Sequence, residues 1–381
     1  MKVLHVCSYY IGNKLYKNMI GSLAKKNINQ VVYIPVRTKE HLNKNKLPSV
    51  LKNIKFQYSK ILNKFDRLFF MRKINKQKKD IERNLLSHRP DLIHAHTAFS
   101  DGGTAYLLHE KYGIKYILNV RNTDINYFYK YRIDLRRFMY QVLINSEFII
   151  FISYAYKTEM LSLLPPNIRK KIKSKCYVIP NGIDDYWHEK ALTHKKYGET
   201  TDITLLFIGE INGNKNLETV LYTCENIKNR GYNVFLNIVG EGPQKQKNKD
   251  ICLKLKLEND IKFHGYITDK NKIAAIMDSS DIFIMPSIKE TFGLVYIEAM
   301  TRGLPIIYTE QQGVDGFFHD SRVGFAVSPK DEILISNAVI HIMNNYTEYS
   351  RNCINEAQKF QWDLISEKIN QLYWKVNLDE S

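Results

Sequence analysis

Apolar residues in this chain fall in short, dense runs separated by stretches with helical spacing. KVLHV at the start, then VVYIPV, DLIHAH, KYILNV, FIIFIS and CYVIP, are rich in β-branched and aromatic residues. The scheme repeats with ITLLFIG, VFLNIVG, IKFHG, DIFIMP and LPIIY. Runs apolar on both faces that alternate with helices predict parallel sheets covered on both sides. Two successive sets predict an α/β protein of two doubly wound, Rossmann-like domains, with ligands beyond the carboxyl ends of the strands. The Pro/Asn/Gly/Asp cluster IPNGIDDYWH at 179–188 reads as the linker.

Composition adds limits. At 381 residues the chain exceeds one ordinary core, and 44% hydrophobic with 25% charged residues is a globular balance. No window approaches the roughly 18–20 apolar residues of a membrane span, and the opening MKVLHVCSYY reads as a strand rather than a leader. Cys7, Cys176, Cys224, Cys252 and Cys353 are odd in number and scattered, which suggests neither a disulfide framework nor a zinc site, and so a reducing cytoplasm.

Charge changes the picture more. Residues 1–200 carry 37 Lys+Arg against 15 Asp+Glu, whereas residues 201–381 carry 19 against 24. A basic first half beside a near-neutral second half implies an anionic partner for the first alone. Two segments concentrate the excess. ILNKFDRLFFMRKINKQKK sets Ile61, Phe65, Leu68, Phe69 and Ile74 among Lys64, Arg67, Arg72, Lys73 and Lys76; YFYKYRIDLRRFMYQVL at 127–143 is equally basic and aromatic. If helical, the first has an apolar side flanked by cations, as a helix lying on a membrane does. The competing reading is an ordinary sheet-covering helix with a Lys-rich outer face. Residues 58–80 and 127–143 are therefore the candidates for contact with an anionic membrane.

Candidate chemistry gathers in the second half. LLFIGEINGNKNLETVL passes from strand through Gly209 and Gly213 into a helix, with Lys215 placed to meet a phosphate. NIVGEGPQ repeats the device with Gly240, Gly242 and Pro243. In KETFGLVYIEAM, Gly293 stands where a helix should begin, and free N–H groups at such a start favour an anion. Glu290 precedes that start and Glu298 lies one turn in. Carboxylates suit paired hydroxyls because they accept hydrogen bonds and donate none. Phosphate on a helix end and diols on two carboxylates describe a nucleotide-sugar.

The chain resembles the family 4 retaining glycosyltransferases of GT-B architecture along essentially its whole length. PDLIHAH, NVRNTDI, VIPNGID, FIGEINGNKN, IVGEGPQ, IKFHGYITD, SSDIFIMPSIKETFGLVYIEAMTRGLPII and VGFAV fall in family order. The closing FQWDLISEKINQLYW resembles the family's terminal helix that returns to the first domain. The resemblance implies an acceptor-binding domain at 1–183, with helix 360–381 packed on it, and a nucleotide-sugar-binding domain at 184–359 across a central cleft.

It also implies roles. Glu298 would hold the ribose and Glu290 would face the donor sugar. Main-chain N–H groups of Phe292, Gly293, Leu294 and Val295 would hold donor hydroxyls and the distal phosphate. Lys215 would neutralise the diphosphate leaving group, with Gly209 and Glu210 in the same loop. Main chain at Gly265 and Tyr266 would read the base, and Gly12 would belong to a loop that faces the donor.

Three positions depart from the family pattern. Glu210 stands where Arg is usual, Arg121 where His is usual, and Gly12-Asn13 where glycines are paired. Arg121 is the expected replacement for the cation lost at Glu210. His94 and His96 of HAH share a strand face; they are expected to face the cleft, with His96 helping to place the acceptor, rather than to hold zinc. No Asp-x-Asp pair lies near these loops, so no metal or other cofactor is expected.

The expectation is a metal-independent, retaining hexosyltransferase. It would take a nucleoside-diphosphate sugar, UDP foremost, and a saccharide or lipid-linked acceptor in bacterial surface polysaccharide synthesis. It would work in the cytoplasm or on the inner face of the membrane. A non-catalytic GT-B-like partner subunit with a degenerate phosphate clamp is the alternative. No nucleic-acid-binding motif accompanies the pI near 9.4.

Overall fold

A computed structural model describes residues 1–12, 14–48, 51–85, 89–193, 202–318 and 322–378. Asn13 of the expected first loop and the side chain of Arg67 lie outside the described set.

The chain folds into two compact units. The first comprises 1–152, 157–182 and 362–381; the second comprises 153–156 and 183–361.

The first unit holds seven strands: β1 (Lys2–Val6), β2 (Asn29–Val36), β3 (Ile54–Lys60), β4 (Leu92–Ala95), β5 (Tyr116–Val120), β6 (Ile149–Phe151) and β7 (Cys176–Val178). They pair in parallel in the order β3-β2-β1-β4-β5-β6-β7. Every residue of β4, β5 and β6 is buried. That explains why these runs show no alternation: helices cover both faces. The chain reverses direction across the sheet between β1 and β4, the place where doubly wound sheets take ligands.

The closing helix Trp362–Leu378 belongs to this unit. Trp362, Ile365, Ile369, Leu372, Tyr373 and Val376 follow helical spacing and lie in one core cluster with Met19, Ile20 and Leu23 of the helix Leu15–Ala24. Ser22 Oγ donates to Asp363 Oδ1 at 2.8 Å. A Cβ on Gly182 would come within 2.7 Å of the Trp362 ring, so only glycine lets the chain pass there.

The second unit holds β8 (Asp202–Ile208), β9 (Asn233–Val239), β10 (Ile261–Gly265), β11 (Ile282–Ile284), β12 (Ile306–Thr309) and β13 (Gly324–Val327). Its parallel order is β10-β9-β8-β11-β12-β13, with the reversal between β8 and β11.

Two strands escape the sequence reading. β3 lies inside the basic stretch; it is an edge strand, paired through β2 alone, and only one of its seven residues is buried. β13 is likewise an edge, and its pattern offers only Val327 to the core.

The helix considered across residues 61–79 is corrected. A 3₁₀ turn at Lys64–Arg67, capped by Asn63 and Asp66, comes first, and the α-helix runs Phe70–Leu85. Ile74, Gln77 and Ile81 of that helix are buried, so its body covers the sheet. Phe65, Leu68, Phe69 and Met71, before and at its start, stay exposed.

Candidate active site

In the second unit the loops after β8, β9 and β10 interlock. Gly209 N donates to Val239 O at 3.0 Å, Gly240 N to Gly265 O at 2.8 Å, and Ile211 N to Glu241 O at 2.9 Å. A Cβ on Gly240 would fall 1.9 Å from the Gly209 carbonyl oxygen, so the two strand ends touch backbone to backbone.

The Gly209–Lys215 loop is also tied to the segment after β11, its neighbour across the reversal. Ile288 N donates to Asn214 O at 2.8 Å, and Asn214 Nδ2 to Lys289 O at 2.9 Å. Asn216 Nδ2 reaches the carbonyls of Pro286 and Pro329.

These ties bring Lys215 onto Glu290, Nζ to Oε2 at 2.6 Å, with both side chains mostly buried. The other carboxylate oxygen of Glu290 accepts the N–H of Thr291 at 3.0 Å. The Glu290 N–H donates to Gln312 Oε1 at 3.1 Å, and Gly313 N donates to Glu290 O at 3.0 Å. Two contacts thus orient the carboxylate, and two more fix the main chain that carries it.

Gly293 caps the helix Leu294–Thr301 at φ +81°, a conformation that other residues avoid. A Cβ there would lie 2.4 Å from the Tyr296 ring. Tyr296 N donates to Gly293 O at 3.0 Å, while the N–H groups of Leu294 and Val295 precede any intrahelical acceptor and open beside Glu290, whose Cγ lies 3.2 Å from that Cβ position.

Glu298 sits about 7–8 Å further along the axis. Burial pushes its carboxyl up to about 7, against the pull of Lys270 and a hydrogen bond from Trp187. Lys270 itself pairs with Asp184 at 2.6 Å.

Glu210 is exposed and accepts from Asn212 Nδ2 at 2.9 Å. Gly265, at φ +75°, ends β10, and Tyr266 beyond it is 77% exposed. Leu294 and Val295 are half-buried, and the Phe292 side chain is buried.

Sequence reasoning named the two carboxylates and Lys215 but missed their supports: Asn214, Asn216, Gln312, Gly313, Lys270 and Trp187. Only the turn composition of TEQQGVDG hinted at the Gln312–Gly313 contribution.

In the first unit Gly12 is exposed and donates to Tyr9 O at 2.9 Å. Arg121, at the end of β5, lies over the Tyr16 ring at 5.5 Å and reaches Asn181 Oδ1 at 3.4 Å. The expected placement of His94 and His96 on an open face is corrected. Both are fully buried, with rings 4.2 Å apart. His5 stacks on His96 at 5.3 Å, and Tyr16 packs edge-on against it at 5.4 Å.

His94 lies between Tyr373 Oη at 2.6 Å and Asn119 Oδ1 at 3.1 Å. One ring nitrogen from each of His5, His94 and His96 lies within 4.8 Å of the other two. Burial lowers all three imidazoles, His94 to about 4, so the cluster is neutral. Both His94 nitrogens lie in hydrogen bonds and His5 Nδ1 meets His96 Nε2 at 3.1 Å, so the three rings form one packed cluster.

Two sheets of this topology, each with its loops built at the reversal point, define the GT-B architecture of nucleotide-sugar transferases. Residues 14–186 match the model of Glycosyltransferase Family 4, and residues 189–360 match that of Glycosyl transferases group 1. The chain belongs to the family 4 glycosyltransferases.

An uncharacterized glycosyltransferase of Methanocaldococcus jannaschii is 26% identical over 237 residues, 59% of each chain, so that match spans less than two thirds of its length. Among solved structures, the lipopolysaccharide outer core galactosyltransferase WaaB superposes with a TM-score of 0.72 at 14% identity, over 98% of this chain and 99% of that one. Anabaena HepE, solved with UDP and glucose, gives 0.66 at 16% over 98% and 100%.

Proposed function

We propose that the protein is a retaining glycosyltransferase that moves a hexose-type sugar from a UDP-sugar to a hydroxyl of a saccharide or lipid-linked acceptor, in bacterial surface polysaccharide synthesis. The observation that carries this is the Lys215–Glu290 pair beside the Gly293 helix start. A cation, an oriented carboxylate and unpaired N–H groups converge there within a few ångströms.

Departure of the sugar from its nucleoside diphosphate leaves negative charge on the distal phosphate. Lys215 Nζ, which spends one hydrogen bond on Glu290, turns its remaining donors to that phosphate, and the helix start adds its N–H groups. Donors fixed before the reaction need no reorganisation as the charge grows. Glu290 steadies the oxocarbenium-like sugar, and the acceptor oxygen arrives on the face the phosphate leaves. Glu298 accepts from the ribose hydroxyls, and main chain at Gly265 and Tyr266 meets the base.

Charge supplied by Lys215 makes a divalent ion dispensable, so turnover persists in chelator. Arg121, at the end of β5, supplies a further cation to the same reaction. His96 acts from behind Tyr16 as a positioning group. The lipopolysaccharide outer core galactosyltransferase WaaB among the similar structures supports the pathway, and the UDP complexes of HepE support the nucleotide. Exposed Phe65, Leu68 and Phe69, with Lys64 and Arg72 alongside, support peripheral contact with an anionic inner membrane face.

The test is thermal shift with UDP-, GDP- and ADP-sugars on wild type and Glu298→Ala. Stabilisation by a UDP-sugar that Glu298→Ala abolishes is expected. No shift with any donor would favour the non-catalytic partner subunit, with Glu210 as its cause.

A further inference from the structure

The first unit contains a cavity of about 520 Å³ whose chemistry the roles above leave unused. Residues that follow β1 and β2, the start of the helix Phe70–Leu85 and the turn at Asp124–Tyr129 enclose it. One wall is aromatic: Phe70 lies edge-on to Phe128 at 5.8 Å, and Tyr127 stands beside them.

Three described acids at or behind this space, Asp66, Asp101 and Asp124, are engaged. Asp66 holds Lys76 at 2.9 and 3.0 Å and the N–H of Asn63 at 2.7 Å. Asp101 takes the hydroxyl of Ser8 at 2.5 Å and its N–H at 3.2 Å. Asp124 accepts three main-chain N–H groups, from Ala98, Phe99 and Arg121.

The cations that line the space are not engaged in the same way. Lys73 Nζ makes one hydrogen bond, to the neutral Ser100 Oγ at 2.8 Å, and has two donors left. Arg37 makes no hydrogen bond or ion pair with a described residue. Burial lowers the Lys73 amine and Arg37 adds to the effect, against the pull of Asp101, Asp66 and Asp124, whose oxygens are already taken up in the bonds above. Ser100, having accepted from Lys73, keeps its own proton to give.

We propose that this cavity binds a phosphoryl group of the acceptor, held between Arg37 and Lys73. The proposal rests on the transferase reading and names the class of its second substrate. A guanidinium fork, an ammonium and a serine hydroxyl supply more donors than the two oxygens of a carboxylate can use, and they suit a phosphate. The body attached to that phosphate packs on Phe70, Tyr127 and Phe128. A water-soluble sugar phosphate and the phosphate head of a polyprenyl lipid share this chemistry.

Calorimetric titration of the full chain separates the two sources. Glucose 6-phosphate and a short polyprenyl phosphate in detergent are the probes, with acetate as comparison anion. Wild type binds one of the phosphorylated probes. Arg37→Gln and Lys73→Met weaken it by about tenfold or more, and Arg37→Lys keeps part of the affinity. Binding of glucose 6-phosphate assigns a soluble acceptor, and binding of polyprenyl phosphate alone assigns a lipid-linked one.

No binding of either, an equal response to acetate, or unchanged affinity in both variants would overturn the proposal. Should Lys73→Met fail to fold, Arg37→Gln decides, because Arg37 has no bond to lose. Donor thermal shifts on the same preparations separate the two readings. Phosphate binding without any donor binding would remove the transferase reading and with it the acceptor assignment.

Discussion

Glu298 holds its proton up to about pH 7 because its carboxyl is buried beside Trp187, with Lys270 close but already paired to Asp184. A protonated carboxyl has lost part of its capacity to accept from ribose hydroxyls. Donor affinity should therefore rise as pH increases through about 7, and Glu298→Gln should flatten that dependence. Stability runs the other way. The folded carboxyl binds its proton more tightly than the unfolded one, so its contribution falls from the ordinary Glu value near 4.5 up to about 7. Difference melting curves of wild type and Glu298→Gln across that range check the sign; a gap that widens in the opposite direction would remove the assignment.

At the scale of elements, the segment around residues 58–80 divides into two parts with different tasks. The helix Phe70–Leu85 covers the sheet through Ile74 and Ile81, as an ordinary amphipathic helix of this fold does. The turn before it leaves Phe65 at 62% and Leu68 at 70% exposure, and the second basic segment leaves Tyr131 at 74% and Ile133 at 68%. Apolar side chains this open, with exposed Lys64 and Arg72 alongside, suit the surface of an anionic bilayer.

Replacing Phe65, Leu68 and Phe69 by Ser should lower sedimentation with phosphatidylglycerol vesicles severalfold, roughly as far as losing three partly inserted side chains allows. Neutral vesicles should bind weakly throughout. Equal binding by wild type and variant would assign these residues to some other surface. No described helix is long and apolar enough to cross a membrane.

On the molecular scale, the first unit is built from two distant stretches of chain. Its core includes Trp362, Ile365, Ile369, Leu372 and Tyr373, each worth roughly 1.5–3 kcal/mol when fully buried. Their sum rivals the whole stability of an ordinary domain. Ending the chain at Gln361 should therefore unfold the first unit while residues 183–361 keep a cooperative melt. Two-step unfolding followed by calorimetry reads this directly, and an unchanged first transition would show that the helix adds little.

The sequence by itself determined that there are two parallel sheets and located their strands apart from β3 and β13. Strands buried on two faces are largely apolar, so β1, β4, β5, β8 and β11 announced themselves locally, and β9 did so through its alternating Val234, Leu236 and Ile238. Edge strands β3 and β13 bury few side chains and left a fainter pattern. Glu290, Glu298 and Lys215 were legible because their turns carry them at fixed offsets from strand ends.

Tertiary structure alone decided the pairing of Lys215 with Glu290, residues 75 apart in the chain. It also decided the support from Gln312 and Gly313, the raised carboxyl of Glu298, the closure of His94 and His96 into the core, and the meeting of Arg37 and Lys73 on one cavity. Each of these depends on what stands opposite a side chain in space. Local periodicity records which face of an element is buried but not which partner meets it there.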